Sequence, residues 1–117
     1  MTTLQDISNP LNIAWCITCD KLTPGGQPGS RAGKVVMKSG ATFTVDPAEL
    51  IAFTKRKGMT AFRLFDDDGE HYYCGRINRD WLDGDESTAF APLDWAMADA
   101  GATTMKYANE RGEFVQL

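Results

Sequence analysis

One histidine, three cysteines and no long apolar run bound the chemistry open to this 117-residue chain. His71 is the only imidazole, and there is no Gly-x-Ser-x-Gly turn or Ser/His/Asp grouping, so hydrolysis through an activated hydroxyl lacks a base–nucleophile pair. No uninterrupted apolar stretch approaches the roughly 20 residues of a membrane-spanning helix. No basic segment followed by an apolar one opens the chain, so the expectation is a soluble, cytoplasmic protein without membrane contact. An odd number of cysteines cannot all pair within one chain. Free thiols or metal ligands in a reducing compartment are therefore the simplest reading of Cys16, Cys19 and Cys74.

Basic residues are also sparse, 12 Lys and Arg against 16 Asp and Glu. Residues 1–57 hold seven basic and four acidic side chains, residues 58–117 five and twelve. Such a balance argues against nucleic acid, because counterion release needs a concentrated basic surface. A protein partner with a basic surface suits the acidic second half.

What the chain does have is a repeat. Residues 58–70 and 101–113 align without a gap at an offset of 43: each carries a glycine, a threonine two residues on, an apolar–basic–apolar run, a turn residue, a second glycine and a glutamate. A helix precedes each copy. Asp46 is placed as N-cap with Pro47 at the first helical position, Val45 and Leu50 form a hydrophobic staple, and Lys55, Arg56 and Lys57 close the helix before Gly58. Leu50, Ile51, Phe53 and Thr54 make its inner stripe. A second helix starts near Pro92, buries Leu93, Ala96, Met97 and Ala100, and stops at Gly101.

Hairpins are expected over 34–45, 62–77 and 103–117, the last two turning through Asp66–Gly69 and Asn109–Gly112. Residues 11–18 alternate like a short strand, and the Gly/Pro-rich stretch 20–33 reads as a flexible loop. The expected fold is therefore α+β: one domain over 1–117 of antiparallel hairpins in the order ββαββαββ, with both helices packed on one sheet face. The repeat units run approximately over 46–74 and 89–117. Phe62, Leu64, Tyr73, Met105, Tyr107 and Phe114 are expected to face the helices. Hairpin meanders leave open edges, so a homodimer through the C-terminal strand is expected as well.

Cys16-x-x-Cys19 and His71-x-x-Cys74 form a Cys₃His set in two close pairs, the spacing structural zinc favours. The ligand order is similar to that of LIM-type zinc modules, although the 51 residues between Cys19 and His71 exceed what those modules enclose. In a regular strand residues three apart point to opposite faces, so His71 and Cys74 share a site only if the strand breaks at Tyr72-Tyr73. Trp15-Cys16-Ile-Thr-Cys19 also resembles the active-site run of thioredoxin-type proteins, but Pro24 and the glycines after it leave no helix to grow from Cys16. Gly33-Lys34 lacks the glycine and Ser/Thr of a phosphate-binding loop, and the acidic runs at 66–68 and 80–86 lack calcium-loop spacing.

Outside the repeat, Asp80, Trp81, Leu82, Asp83, Asp85 and Glu86 set two apolar anchors among acids, as binding hot spots often do. The leading expectation is a small non-enzymatic binding or regulatory protein that needs no cofactor and docks its partner through this acidic segment. A zinc-stabilised module using Cys16, Cys19, His71 and Cys74 is the first alternative, and a thiol redox protein the second.

Overall fold

The computed structural model describes residues 12–23 and 29–117. Most of the first-strand alternation falls inside this range, whereas Leu11 and residues 24–28 of the expected loop lie outside it. Seven strands form one antiparallel sheet: β1 (Ile13–Asp20), β2 (Lys34–Met37), β3 (Thr42–Thr44), β4 (Thr60–Phe65), β5 (His71–Ile77), β6 (Thr104–Ala108) and β7 (Phe114–Gln116). Their spatial order is β3-β2-β1-β5-β4-β6-β7. Helix α1 (Pro47–Arg56) joins β3 to β4, and α2 (Arg79–Leu82), α3 (Glu86–Ala89) and α4 (Ala91–Ala100) join β5 to β6.

The local signals act as the physics of caps and turns requires. Asp46 accepts a hydrogen bond from the Glu49 N–H at 3.3 Å, and Val45 and Leu50 are both fully buried beside it. The two later hairpins share one turn chemistry. Asp66 Oδ1 accepts from the N–H groups of Asp68 (2.9 Å) and Glu70 (2.8 Å), and Asn109 Oδ1 accepts from those of Arg111 (2.9 Å) and Glu113 (3.0 Å). Gly69 and Gly112 close these turns at φ 82° and 80°, a region that side chains disfavour. Arg63 pairs with Lys106 across β4 and β6, so equivalent residues of the two aligned segments sit opposite one another.

The helices do not share a face, contrary to the sequence expectation. Leu50 of α1 belongs to a cluster with Ile13, Cys16, Val35 and Val45, whereas Leu93 and Ala96 of α4 pack with Trp15, Ile17, Phe62, Leu64, Tyr73 and Met105. Cys16 points opposite to Trp15 and Ile17, so the two clusters lie on opposite sides of the sheet. The cause is topological. Every neighbouring pair is antiparallel, which makes β3 parallel to β4 and β5 parallel to β6, with the two parallel sets running in opposite directions. Both connections move the same way across the sheet. Connections of one hand that start from oppositely directed strands must cross opposite faces.

Three further expectations change with this arrangement. Ile51 and Met97, assigned to inner stripes, are 41% and 51% exposed. Phe114 lies on the α1 side rather than under α4, with the Arg63 guanidinium 3.9 Å from its ring centroid. The short strand expected ahead of the order ββαββαββ is β1, which lies inside the sheet between β2 and β5, and 79–89 adds two helical turns, α2 and α3.

Backbone approach is closest at Gly75, where a β-carbon would collide with the Cys16 carbonyl oxygen and the Phe62 ring. Gly75→Ala is expected to destabilise the fold by about 1–3 kcal/mol, as over-packing of a filled core does. Asp66→Ala and Asn109→Ala should each cost about 1 kcal/mol, to similar extents. Urea unfolding of the three variants measures both.

Candidate functional site

Two β-bulges decide which chemistry-bearing residues meet. In β1, Ile17 pairs with Gly75 and Cys19 with Cys74, so Thr18 is an extra residue. In β5, Tyr73 pairs with Leu64 and His71 with Phe65, so Tyr72 is extra. Each insertion reverses the strand's alternation once. Residues three apart, Cys16 and Cys19 in one strand and His71 and Cys74 in the other, thereby come to the same face. The strand break demanded for a shared His71–Cys74 site is present, in the form of a single bulged residue.

Only part of the Cys₃His set converges. Cys19 and Cys74 stand opposite each other on adjacent strands, and His71 Nε2 lies 3.3 Å from Cys74 Sγ. The same nitrogen is 2.9 Å from the Tyr73 carbonyl oxygen, so it carries a proton and donates there. Cys16 is fully buried beneath α1, in the cluster of Leu50 and Val35. Among the described residues, no group of three or more His, Cys, Asp or Glu side chains is arranged to hold a metal ion.

The three thiols differ sharply in acidity. Burial pushes Cys16 up to about 12, so it stays protonated and unreactive. A hydrogen bond from the Cys74 thiol is the main force holding Cys19 down, to about 6, with Lys21 adding a smaller attraction. Cys74 moves the opposite way, raised first by donating that hydrogen bond and then by burial. Burial lowers His71, reinforced by the nearby Arg63 and Lys21 charges, so it is neutral near pH 7.

Cys19 and Cys74 open into a groove of about 340 Å³ on the α1 side of the sheet, bounded by Ile51, Arg63, Arg76 and Phe114. The buried cluster on that side is confined to β1, β2, α1 and their flanks, which leaves the half formed by β4, β6 and β7 uncovered among the described residues. Arg76 Nη1 donates to the Met59 carbonyl oxygen at 2.8 Å and is thereby fixed. Lys106 lies 5.2 Å from the Phe65 ring centroid, and Phe65 stacks on His71 at 5.0 Å. The open half is thus basic and aromatic. The net charge of the chain half conceals these arginines, whereas the alternation of Arg63 and Lys106 with the buried Phe62, Leu64 and Met105 is the sequence signal that marks one exposed face.

Leu82 is 7% exposed and belongs to the α4-side core, against which Trp81 packs half-buried. Asp80 pairs with Lys38 at 3.4 Å and Asp83 with Arg79 at 2.9 Å. Asp85 caps α3, accepting from the Thr88 N–H at 3.1 Å and the Ser87 hydroxyl at 2.6 Å, and these bonds hold its carboxyl below the usual range. Glu86 lies exposed in the first turn of α3. Comparison with protein-family models, curated proteins and solved structures gave no match for this chain.

Folded protein should present two thiols, not three, to a polar thiol reagent, with Cys16 reacting only after unfolding. Cys19 alkylation should follow a titration with a midpoint near pH 6. In Cys74→Ala, which removes the donor, that midpoint should move toward the value of about 8.5 for an unperturbed thiol. Iodoacetamide kinetics between pH 5 and 10, read by peptide mass spectrometry, test both statements.

Proposed function

We propose that the chain is a small binding protein whose working surface is the open, basic half of the sheet, and that its groove takes a small ligand bearing carboxylate or phosphate groups. The observation that carries this reading is the pair Arg63 and Arg76. They stand diagonally on adjacent strands, on the same face, and both line one groove beside exposed apolar walls. Two planar guanidinium groups match planar or tetrahedral oxyanions through paired N–H donors. The groove's volume of about 340 Å³ fits a small molecule. The chain's overall negative charge disfavours long polyanions, whose remaining charge would meet the acidic surface.

The acidic segment 80–86 was the docking site expected for a basic protein partner. With Leu82 in the core and Trp81 packed on it, that segment offers charge with little apolar anchor, and rim charge alone adds little affinity. The groove combines both.

Titration of isotope-labelled protein with citrate, and separately with inorganic phosphate, tests the reading by NMR. Shifts should cluster at the Arg63 and Arg76 side-chain N–H groups and at the backbone of Cys19 and Cys74. Arg63→Gln or Arg76→Gln should weaken binding roughly tenfold or more, from the loss of ~1.5–3 kcal/mol of charge-assisted hydrogen bonding. Shifts centred on Lys55–Lys57, or unchanged binding in both variants, would contradict it.

A further inference from the structure

We propose that Cys19 and Cys74 form a dithiol that undergoes thiol–disulfide exchange with a low-molecular-weight disulfide carrying carboxylates. The preference for a charged disulfide rests on the groove reading above; the exchange chemistry rests on the thiols alone.

The geometry supplies what exchange requires. Directly opposed residues of an antiparallel pair hold their Cα atoms about 4.5–5.5 Å apart, inside the window of about 4.4–6.8 Å that a disulfide spans. Cys19 and Cys74 are such a pair, so the register of β1 and β5 already brings them within reach of one another. Both sulfurs border the groove and are half-buried, which leaves a path for a small reagent. Cys16 is sealed in the core, so the reacting partners are the cross-strand pair and not the Cys-x-x-Cys pair that the sequence displays.

The two sulfurs also have distinct roles. Of the two, Cys19 is held below and Cys74 above the usual thiol range, which makes Cys19 the attacking sulfur. Its thiolate displaces one half of the disulfide RS–SR: a Cys19–S–S–R bond forms, the RS–SR bond breaks, and the leaving thiolate takes the Cys74 proton. Cys74, now a thiolate, attacks the Cys19 sulfur, forms the protein disulfide and expels the second half as RS⁻. Two electrons pass from the dithiol to the small disulfide, and no other oxidant is needed. His71, 3.3 Å from Cys74 Sγ, stands beside the resolving sulfur with its Nε2–H directed to the Tyr73 carbonyl. Arg63 and Arg76 flank the same groove and would hold the carboxylates of the incoming molecule.

The experiment exposes the reduced full chain to oxidised glutathione, which carries carboxylates, and in parallel to the neutral bis(2-hydroxyethyl) disulfide. Products are followed by intact mass and mapped by peptide sequencing. The expected product is a Cys19–Cys74 disulfide with Cys16 still reduced, formed several-fold faster with oxidised glutathione. Cys74→Ser should stop at a glutathione adduct on Cys19, and Cys19→Ser should react roughly tenfold more slowly or less. Mapping the bond on the unmutated chain decides the matter even if a variant fails to fold. Failure to form the Cys19–Cys74 bond with either reagent, or a bond to Cys16, overturns the proposal. Equal rates with the two reagents overturn the charged-disulfide preference, while the citrate and phosphate titration judges the groove independently.

Discussion

A connection that leaves one strand and returns to a parallel strand of the same sheet has a preferred hand, and here that preference governs where the functional groups end up. The α1 connection starts from β3 and the α2–α4 connection from β5, which runs the other way. Both move toward the β7 edge, so a common hand sends them over opposite faces. Three helical segments shield one side of the sheet. On the other, α1 covers the region of β1 and β2 with Leu50 against Cys16 and Val35, and among the described residues nothing covers the half beyond β5.

The uncovered half then collects the outward-pointing residues of β4, β5 and β6, among them Arg63, Arg76 and Lys106. Single-residue bulges at Thr18 and Tyr72 add Cys19 and His71 to the side that already holds Cys74. Without them, Cys19 and His71 would point into the α4-side core. The opposite face is tied down more firmly. Trp95 of α4 packs 5.7 Å from Trp15 and 5.1 Å from Tyr73, and Asp99 accepts from the Tyr73 hydroxyl at 2.8 Å and from Arg31 at 3.0 Å. One side of the sheet is thus filled by core packing, and the thiols and arginines lie on the other.

Much of the secondary structure could be read directly because its determinants are local. Asp46 and Pro47 start α1, glycines with positive φ follow both long helices, and Asp66 and Asn109 shape matching turns through side chains within four residues of their partners. Strand order was not legible in this way. That β1 would insert between β2 and β5 depends on long-range pairing, and with it went the side on which each helix docks. Phe114 illustrates the consequence: it pairs with Ala108 as its equivalent His71 pairs with Phe65, which puts both on the open face, and only the bulge at Tyr72, without a counterpart in β7, turns the following Tyr73 inward and makes the two strands look alike in phase. The cysteine and histidine spacings did carry information, since each x-x interval contains one bulged residue, but spacing alone gave no indication that Cys16 would be buried under α1.

The groove and its dithiol depend most on the two long helices lying on opposite sides of the sheet, and the nuclear Overhauser contacts of three side chains test that placement directly. Leu50 methyl protons should show cross-peaks to Cys16 and Val35, the Trp95 ring to Trp15 and Tyr73, and the Phe114 ring to Arg63 with none to α4. Cross-peaks from Phe114 to Leu93 or Ala96, or from Leu50 to Phe62 or Leu64, would place both helices on one face and remove the open surface altogether.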